Sequence, residues 1–321
     1  MSDYLWDKSG RPDPEVERLE QLLSEFAYRG KPGTHRNRVV RYLAIAAALV
    51  LMVGAAVYGW RTQSAGWQVA TLEGAPRIGS DAIEGKGKLT KGEWLETDSG
   101  SRAQVEIGAI GDVEVAPGSR VGLVRSSATE QRMALERGRI RASIFAPPRI
   151  FIVDTPSATA VDLGCVYTLE VDDAGSGLLK VVAGWVSLEA NGRESFIPAT
   201  AVCLTRKGSP PGTPYFEDAP DGLRMALERF DFEKGGYEAL RQVLEAARPE
   251  DRLTLWHLLS RTSGMEREAV YYRMASIAPP PQGVTREGIL AGDAPMLELW
   301  WNSLGLGDAS WWRKSKIRPA R

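Results

Sequence analysis

The sequence is poor in the side chains that most enzymes and metal sites use. Its 321 residues include only two cysteines and two histidines, and the formal net charge is −1. So few cysteines exclude a dense disulfide scaffold and a zinc ribbon, and so small a net charge gives no global field for nucleic acid. The motifs of serine hydrolases, zinc proteases, thiol–disulfide enzymes and P-loop proteins are also missing. We therefore expect no enzymatic activity, no cofactor, no metal and no nucleic-acid partner.

One long apolar run stands out in this otherwise ordinary composition. Residues 42–60 (YLAIAAALVLMVGAAVYGW) contain no charge, and this length is close to the roughly 20 residues that cross a bilayer core. Aromatic residues near both ends suit the two membrane interfaces. A buried core helix, or the apolar part of a cleaved signal peptide, is normally shorter, and a signal peptide has a shorter leader. The run predicts an uncleaved transmembrane helix over residues 39–60.

Basic residues lie mostly on the N-terminal side of this run. The preceding stretch holds Arg29, Lys31, Arg36, Arg38 and Arg41 and no acid, whereas only Arg61 follows closely. The positive-inside rule therefore predicts a cytoplasmic segment over residues 1–38. The bulk of the chain is then expected to lie outside the cytoplasm, in the periplasm, as part of a single-pass protein of the inner membrane.

The predicted cytoplasmic segment contains an amphipathic pattern. Asp13-Pro14-Glu15 is typical of a helix start, with aspartate as the N-cap and proline at the first helical position. Apolar residues then recur at helical spacing and form one stripe: Val16, Leu19, Leu22, Leu23 and Phe26. Such a short helix is marginal in water and cannot bury this stripe alone. We expect residues 14–28 to bind another protein, a second copy or, less favourably because of the neighbouring acids, a membrane surface; a partly ordered tail is the alternative.

The apolar pattern changes to a period of two between residues 92 and 206. Apolar and polar residues alternate in several short stretches, and glycine-bearing turns separate them. The predicted strands include Ala103–Ile107, Val113–Val115, Arg139–Phe145, Ile150–Val153, Val166–Val171, Leu178–Val182 and Trp185–Leu188. Asn191-Gly192 predicts a tight hairpin after the last of these. Many short strands at this spacing predict an all-β sandwich, roll or barrel over residues 61–206, built of antiparallel strands.

The C-terminal third has a different pattern. Residues 207–220 carry four prolines and are predicted to be a linker. Residues 221–308 then show helical spacing and predict an all-α bundle of three or four helices, the last from Thr285 to about Leu304. Residues 309–321 form a basic tail without acids, which either contacts membrane lipid or stays solvated.

The two cysteines, Cys165 and Cys203, both fall in the predicted β domain. An oxidising compartment would permit a disulfide between them, which would close a loop of about 38 residues and stabilise the fold by roughly 3–4 kcal/mol. The alternative is two buried free thiols that behave as small apolar groups. The hydroxyls and acids around Cys165, in residues 154–171, fit strands and a turn, with Gly164 at a bulge or a close approach. They require no catalytic role.

Six sequence blocks, in order, resemble the FecR domain of membrane-anchored sigma-factor regulators. They are Gly92–Gly100, Ala103–Gly108, Leu135–Ile140, Ile152–Ala158, Leu163-Gly164 with the aromatic strand after it, and Val181–Leu188. The resemblance extends over residues 92–206, and the family has a similar layout of short cytoplasmic segment, one span and one outer domain. It implies a non-catalytic signal transducer that holds or activates a sigma factor, with proteolysis near the span as the usual relay.

Two function classes follow from these observations. The first is a regulator that binds a cytoplasmic sigma factor or a similar protein through residues 14–28. The second is a cell-envelope scaffold that binds an extracytoplasmic protein or polymer and has no sigma partner. Retention of function after deletion of residues 1–30 would favour the scaffold, and an enzyme is a distant third possibility.

Overall fold

The structure, a computed structural model, describes residues 14–26, Met52 and residues 66–307. The chain divides into two units, Met1–Gln63 and Ser64–Arg321. The predicted transmembrane helix over residues 39–60 lies outside the described residues except for Met52. No helix in the described ranges is long and apolar enough to cross a membrane. In the first unit, the predicted amphipathic helix is confirmed as α1 (Pro14–Ser24).

The second unit begins with short strands that carry the alternating pattern. In chain order they are β1 (Gly66–Glu73), β2 (Arg77–Ile78), β3 (Asp81–Ala82), β4 (Lys86–Thr90), β5 (Trp94–Glu96), β6 (Arg102–Glu106), β7 (Gly111–Val115), β8 (Arg120–Ser126), β9 (Gln131–Ile144), β10 (Phe151–Asp154), β11 (Thr159–Asp162), β12 (Val166–Val171), β13 (Gly177–Ala183), β14 (Trp185–Ala190), β15 (Arg193–Pro198), β16 (Ala201–Thr205) and β17 (Tyr215–Phe216). The protein is mainly β in this region, as the sequence predicted.

The strands form two sheets that share one long strand. Sheet A has the order β4-β1-β6-β7-β9-β12-β13-β16-β17, and sheet B has the order β3-β2-β5-β8-β9-β10-β11-β14-β15. Every pairing is antiparallel except that of β10 with β9. The sheets meet across a common apolar core, where the ring centroids of Trp67 in sheet A and Phe151 in sheet B lie 6.5 Å apart.

The shared strand β9 changes sheets at Gly138. Its first half pairs with β8 and β10, and its second half pairs with β7 and β12. Gly138 has a φ of 90°, and a Cβ atom there would lie 2.4 Å from the Cα atom of Ser119. Only glycine accepts both this left-handed backbone and this close approach. Next to Gly138, the Ser119 hydroxyl accepts a hydrogen bond from the Arg139 amide at 2.9 Å.

Asn191-Gly192 forms the tight turn that the sequence predicted. Both residues have positive φ, 50° and 72°, and they connect β14 to β15. Two positive φ values are the requirement of the hairpin turn whose twist matches its strands. This prediction is confirmed.

The C-terminal part of the second unit is helical. Its helices are α2 (Asp221–Phe232), α3 (Gly236–Ala246), α4 (Arg252–Arg261), α5 (Gly264–Ile277), α6 (Arg286–Ala291) and α7 (Ala294–Ser303), with a 3₁₀ turn at Pro249–Asp251. The prediction of one last helix from Thr285 to about Leu304 is wrong. Gly292 ends α6 in a left-handed conformation with a φ of 78°, and the Asp293 side chain caps α7 by accepting from the Met296 amide.

The helices pack directly against the β region. Trp301 of α7 lies against Trp185 and Phe196 of sheet B, with ring centroids 6.0 and 5.9 Å apart. The segment predicted as a linker, residues 207–220, is part of this contact. It contains β17, and its residues 211–215 are buried. The sheets and the helices therefore share one core.

Candidate functional site

The apolar stripe of α1 is an exposed feature of the part of the first unit that the structure describes. Leu19, Leu22 and Leu23 are 57%, 63% and 62% exposed, and Phe26, just after the helix, is 83% exposed. Val16, the remaining member, is partly exposed, and no residue of α1 is buried. Four of the five predicted partner-binding residues thus lie on α1 and Phe26 follows it, and all five are exposed or partly exposed.

A helix with this exposure lacks the tertiary support that usually stabilises short helices. Most helical stability in proteins comes from burying an apolar face rather than from intrinsic propensity. A stripe of three leucines and one phenylalanine also provides the anchors of helix-in-groove recognition, in which residues at helical spacing enter an apolar groove. The geometry of α1 fits a contact with a protein.

The segment around Cys165 forms a buried turn between β11 and β12. The Asp162 carboxylate accepts from the Gly164 amide at 2.7 Å and from the Cys165 thiol at 2.6 Å. Burial raises the pKa of Asp162 to about 7, because loss of hydration outweighs the hydrogen bonds that favour the ionised form. Burial likewise raises the pKa of Cys165 and of the neighbouring Tyr167 hydroxyl. A thiol in this state stays protonated and is a poor nucleophile.

The predicted disulfide between Cys165 and Cys203 is not formed, and both residues are buried free thiols. The Cys203 thiol donates to the Gly212 carbonyl at 3.1 Å, away from the Asp162 turn. Strand β13 lies between β12, which Cys165 directly precedes, and β16, which contains Cys203. The positions on β13 that correspond to the two cysteines are about five residues apart. These offsets separate the cysteines by roughly 16 Å along the sheet and about 10 Å across it. A disulfide requires Cα atoms within about 7 Å.

A buried polar network joins the helices to the β region. Arg261 of α4 and Asp231 of α2 form an ion pair at 3.6 Å, and their side chains are 2% and 5% exposed. Arg261 also donates to the hydroxyls of Thr213 and Ser195, both at 2.6 Å. The Asp231 carboxylate accepts from the Thr213 amide at 2.6 Å. Burial raises the pKa of Asp231 and lowers that of Arg261, and the charge of each opposes the shift of the other.

This network was not predicted from the sequence. Arg261 and Asp231 lie 30 positions apart on different helices, and no local spacing marks them as partners. His257 of α4 is buried, and its Nε2 atom lies 3.0 Å from the carbonyl oxygen of Phe196. Within the described residues, no group of three or more His, Cys, Asp or Glu side chains is placed to hold a metal ion.

A known protein family matches part of the β region. The family model of the FecR protein matches residues 93–187, from the residue before β5 to the third residue of β14. The chain contains a FecR domain.

The FecR domain occupies less of the chain than the folded β region does. Its match ends within β14, whereas β15, β16, β17 and the helices continue the same core beyond it. The Asp162 turn lies inside the FecR domain, and the Arg261–Asp231 network lies outside it. No relative is found among curated proteins.

Two solved structures show partial likeness to the chain. Both are described as a "putative anti-sigma factor" from Parabacteroides distasonis ATCC 8503, one at 1.65 Å and one at 2.50 Å resolution. The first is 16% identical with a TM-score of 0.35, covering 41% of this chain and 63% of that one. The second is 14% identical with a TM-score of 0.35, covering 47% of this chain and 73% of that one. The chain thus spans less than two thirds of the length of the first.

Proposed function

We propose that this protein is a membrane-anchored regulator that binds a cytoplasmic sigma factor, or a similar protein, through the stripe on α1. The observation that carries the proposal is the stripe itself, which is apolar, helical and exposed in a chain that also contains a FecR domain. The protein acts by binding rather than by catalysis. The protein acts on its partner by binding it to α1 or releasing it.

The apolar run over residues 42–60 and its basic N-terminal flank support the membrane anchor. In this arrangement α1 is cytoplasmic, and the FecR domain with the helices is in the periplasm. A single span then connects a sensing part to the part that holds the partner. The alternative hypothesis, a cell-envelope scaffold, differs from this proposal because it assigns no role to α1.

Two glutamates in the stripe are expected to remove partner binding. We expect Leu19→Glu with Leu22→Glu to reduce recovery of a sigma factor with the tagged full chain at least tenfold, because truncating or charging a central apolar anchor costs about 2 kcal/mol or more. The matched control is Gln21→Glu with Ser24→Glu, which adds the same charge on the opposite face of α1. Co-purification from the native membrane, followed by mass spectrometry, measures both.

The control variant is expected to recover the sigma factor within about twofold of the unmodified chain, a difference below roughly 0.5 kcal/mol. Equal recovery by the stripe variant and the control would contradict the proposal. Function that survives deletion of residues 1–30 would instead support the envelope scaffold.

A further inference from the structure

The outer face of sheet A carries charged side chains from four adjacent strands. Alternation along each strand turns its apolar residues to the core and its polar residues outward. Glu114 of β7 lies opposite Arg141 of β9, which in turn lies opposite Thr168 of β12. Two residues away along the same strands, Arg139 of β9 lies opposite Glu170 of β12. This register brings together side chains that are far apart in the sequence.

The cationic end of this face is concave. A cavity of about 470 Å³ is lined by Arg102, Glu114, Pro117, Arg139, Arg141 and Thr168, so three of its four charged lining residues are arginines. Arg102 is hydrogen-bonded to Glu114 and to Glu73, and Arg139 lies 3.6 Å from Glu170. Arg141 is exposed, and no ion pair joins it to another residue of the described ranges. Guanidinium groups in such an arrangement bind carboxylates in a forked geometry.

The cavity continues into a second one of opposite charge. This second cavity, of about 690 Å³, shares Pro117 and Arg139 with the first and reaches Glu170, Asp172 and Glu228. Arg206 is the other charged residue of its far part and pairs with Glu228. The two cavities form one groove that crosses the strands from β6 to β16, a length of about 24 Å at the usual strand spacing.

We propose that this groove binds an extended peptide that is acidic at one end and basic at the other. The acidic end lies against Arg141 and its neighbours, and the basic end lies against Glu170, Asp172 and Glu228. A length of about 24 Å accommodates roughly seven extended residues. A uniform polyanion fits the groove poorly because its charges would meet the three carboxylates, and like charges across an interface oppose binding.

The test uses the full chain and four fluorescein-labelled heptapeptides. Two are bipolar, Glu-Glu-Gly-Ser-Gly-Lys-Lys and its reverse, since the direction of the bound chain is open. Two are uniform, with glutamate or lysine at both ends. At 0.15 M salt we expect one bipolar peptide to bind at least tenfold more tightly than either uniform peptide, as measured by fluorescence anisotropy. Inorganic phosphate is expected to compete only at far higher concentration.

Arg141→Glu is expected to weaken the better bipolar peptide at least tenfold, and Arg141→Lys less, because lysine keeps the charge but loses the fork. Arg137→Glu is the matched control: it makes the same charge change on an exposed residue of the same strand that lines neither cavity. An unchanged thermal midpoint shows that the variants fold. Equal binding of the uniform acidic peptide, or equal loss in the two glutamate variants, would overturn the proposal. Its failure leaves the role of α1 untouched, because no groove residue belongs to α1.

Discussion

Replacing Asp231 by alanine is expected to lower the free energy of unfolding of the full chain by about 3–5 kcal/mol. The variant leaves the Arg261 guanidinium buried without its counter-charge, and it removes the acceptor of the Thr213 amide. An uncompensated buried charge costs far more than the net contribution of the pair, because the charge has lost its hydration. Urea unfolding at pH 7, followed by circular dichroism and tryptophan fluorescence, measures the change.

Two further variants separate the buried charge from a general loss of packing. Asp231→Leu combined with Arg261→Met replaces the pair by apolar side chains and is expected to recover at least half of the lost stability, since apolar replacement of buried pairs is often neutral. Glu238→Ala breaks an exposed ion pair with Arg241 and is expected to leave the unfolding midpoint nearly unchanged. An Asp231→Ala variant as stable as Glu238→Ala would show that the network does not hold the helices to the β region.

Replacing Asp162 by asparagine is expected to change how stability depends on pH. In the folded protein the pKa of Asp162 is about 7, above its ordinary value of 3.8. The folded state therefore keeps this proton while the unfolded state loses it, and stability falls as the pH rises from about 4 to about 7. The asparagine variant lacks this titration. Its stability relative to the unmodified chain should rise by roughly 4 kcal/mol over that interval.

The comparison is made as the difference between two urea unfolding curves at each pH, so that contributions from other groups cancel. The Cys165→Ala variant tests the environment of the Asp162 carboxyl in a second way. The Cys165 thiol donates to Asp162 and lowers its pKa, so removing the thiol moves the pH window upward. Parallel pH profiles for the unmodified chain and Asp162→Asn would contradict the described environment of the carboxyl.

Much of the fold was predictable because its determinants are local. Alternation with a period of two marks the strands, and Asn191-Gly192 marks one hairpin because both positions need positive φ. The sequence also contains a signal for the break between α6 and α7, since Gly292 and Asp293 are a typical helix end followed by a typical N-cap. The prediction missed this signal because the apolar residues keep a helical spacing across the break.

The features missed from the sequence depend on contacts between distant segments. The prolines of residues 207–220 are typical of a linker, yet β17 pairs with β16, and the Pro214 carbonyl accepts from Thr254 of α4. The bipolar groove depends on the register of several strands, which no single stretch of sequence gives. The disulfide was predicted because an oxidising compartment permits one, but the sequence does not give the distance between the two cysteines. By contrast, α1 begins at the predicted Pro14, and β12 has the predicted bounds Val166–Val171, because both elements are marked by local patterns.

In the cell, the stripe on α1 is expected to contact a sigma factor. The most direct measurement is photo-crosslinking in living cells, with a benzophenone amino acid placed in the full chain at position 22, in the stripe, or at position 24, on the opposite face. We predict an adduct with a sigma factor from position 22 and little or none from position 24, identified by mass spectrometry. Adducts from position 22 that contain only lipid or a second copy of the chain would show that the stripe does not bind a sigma factor.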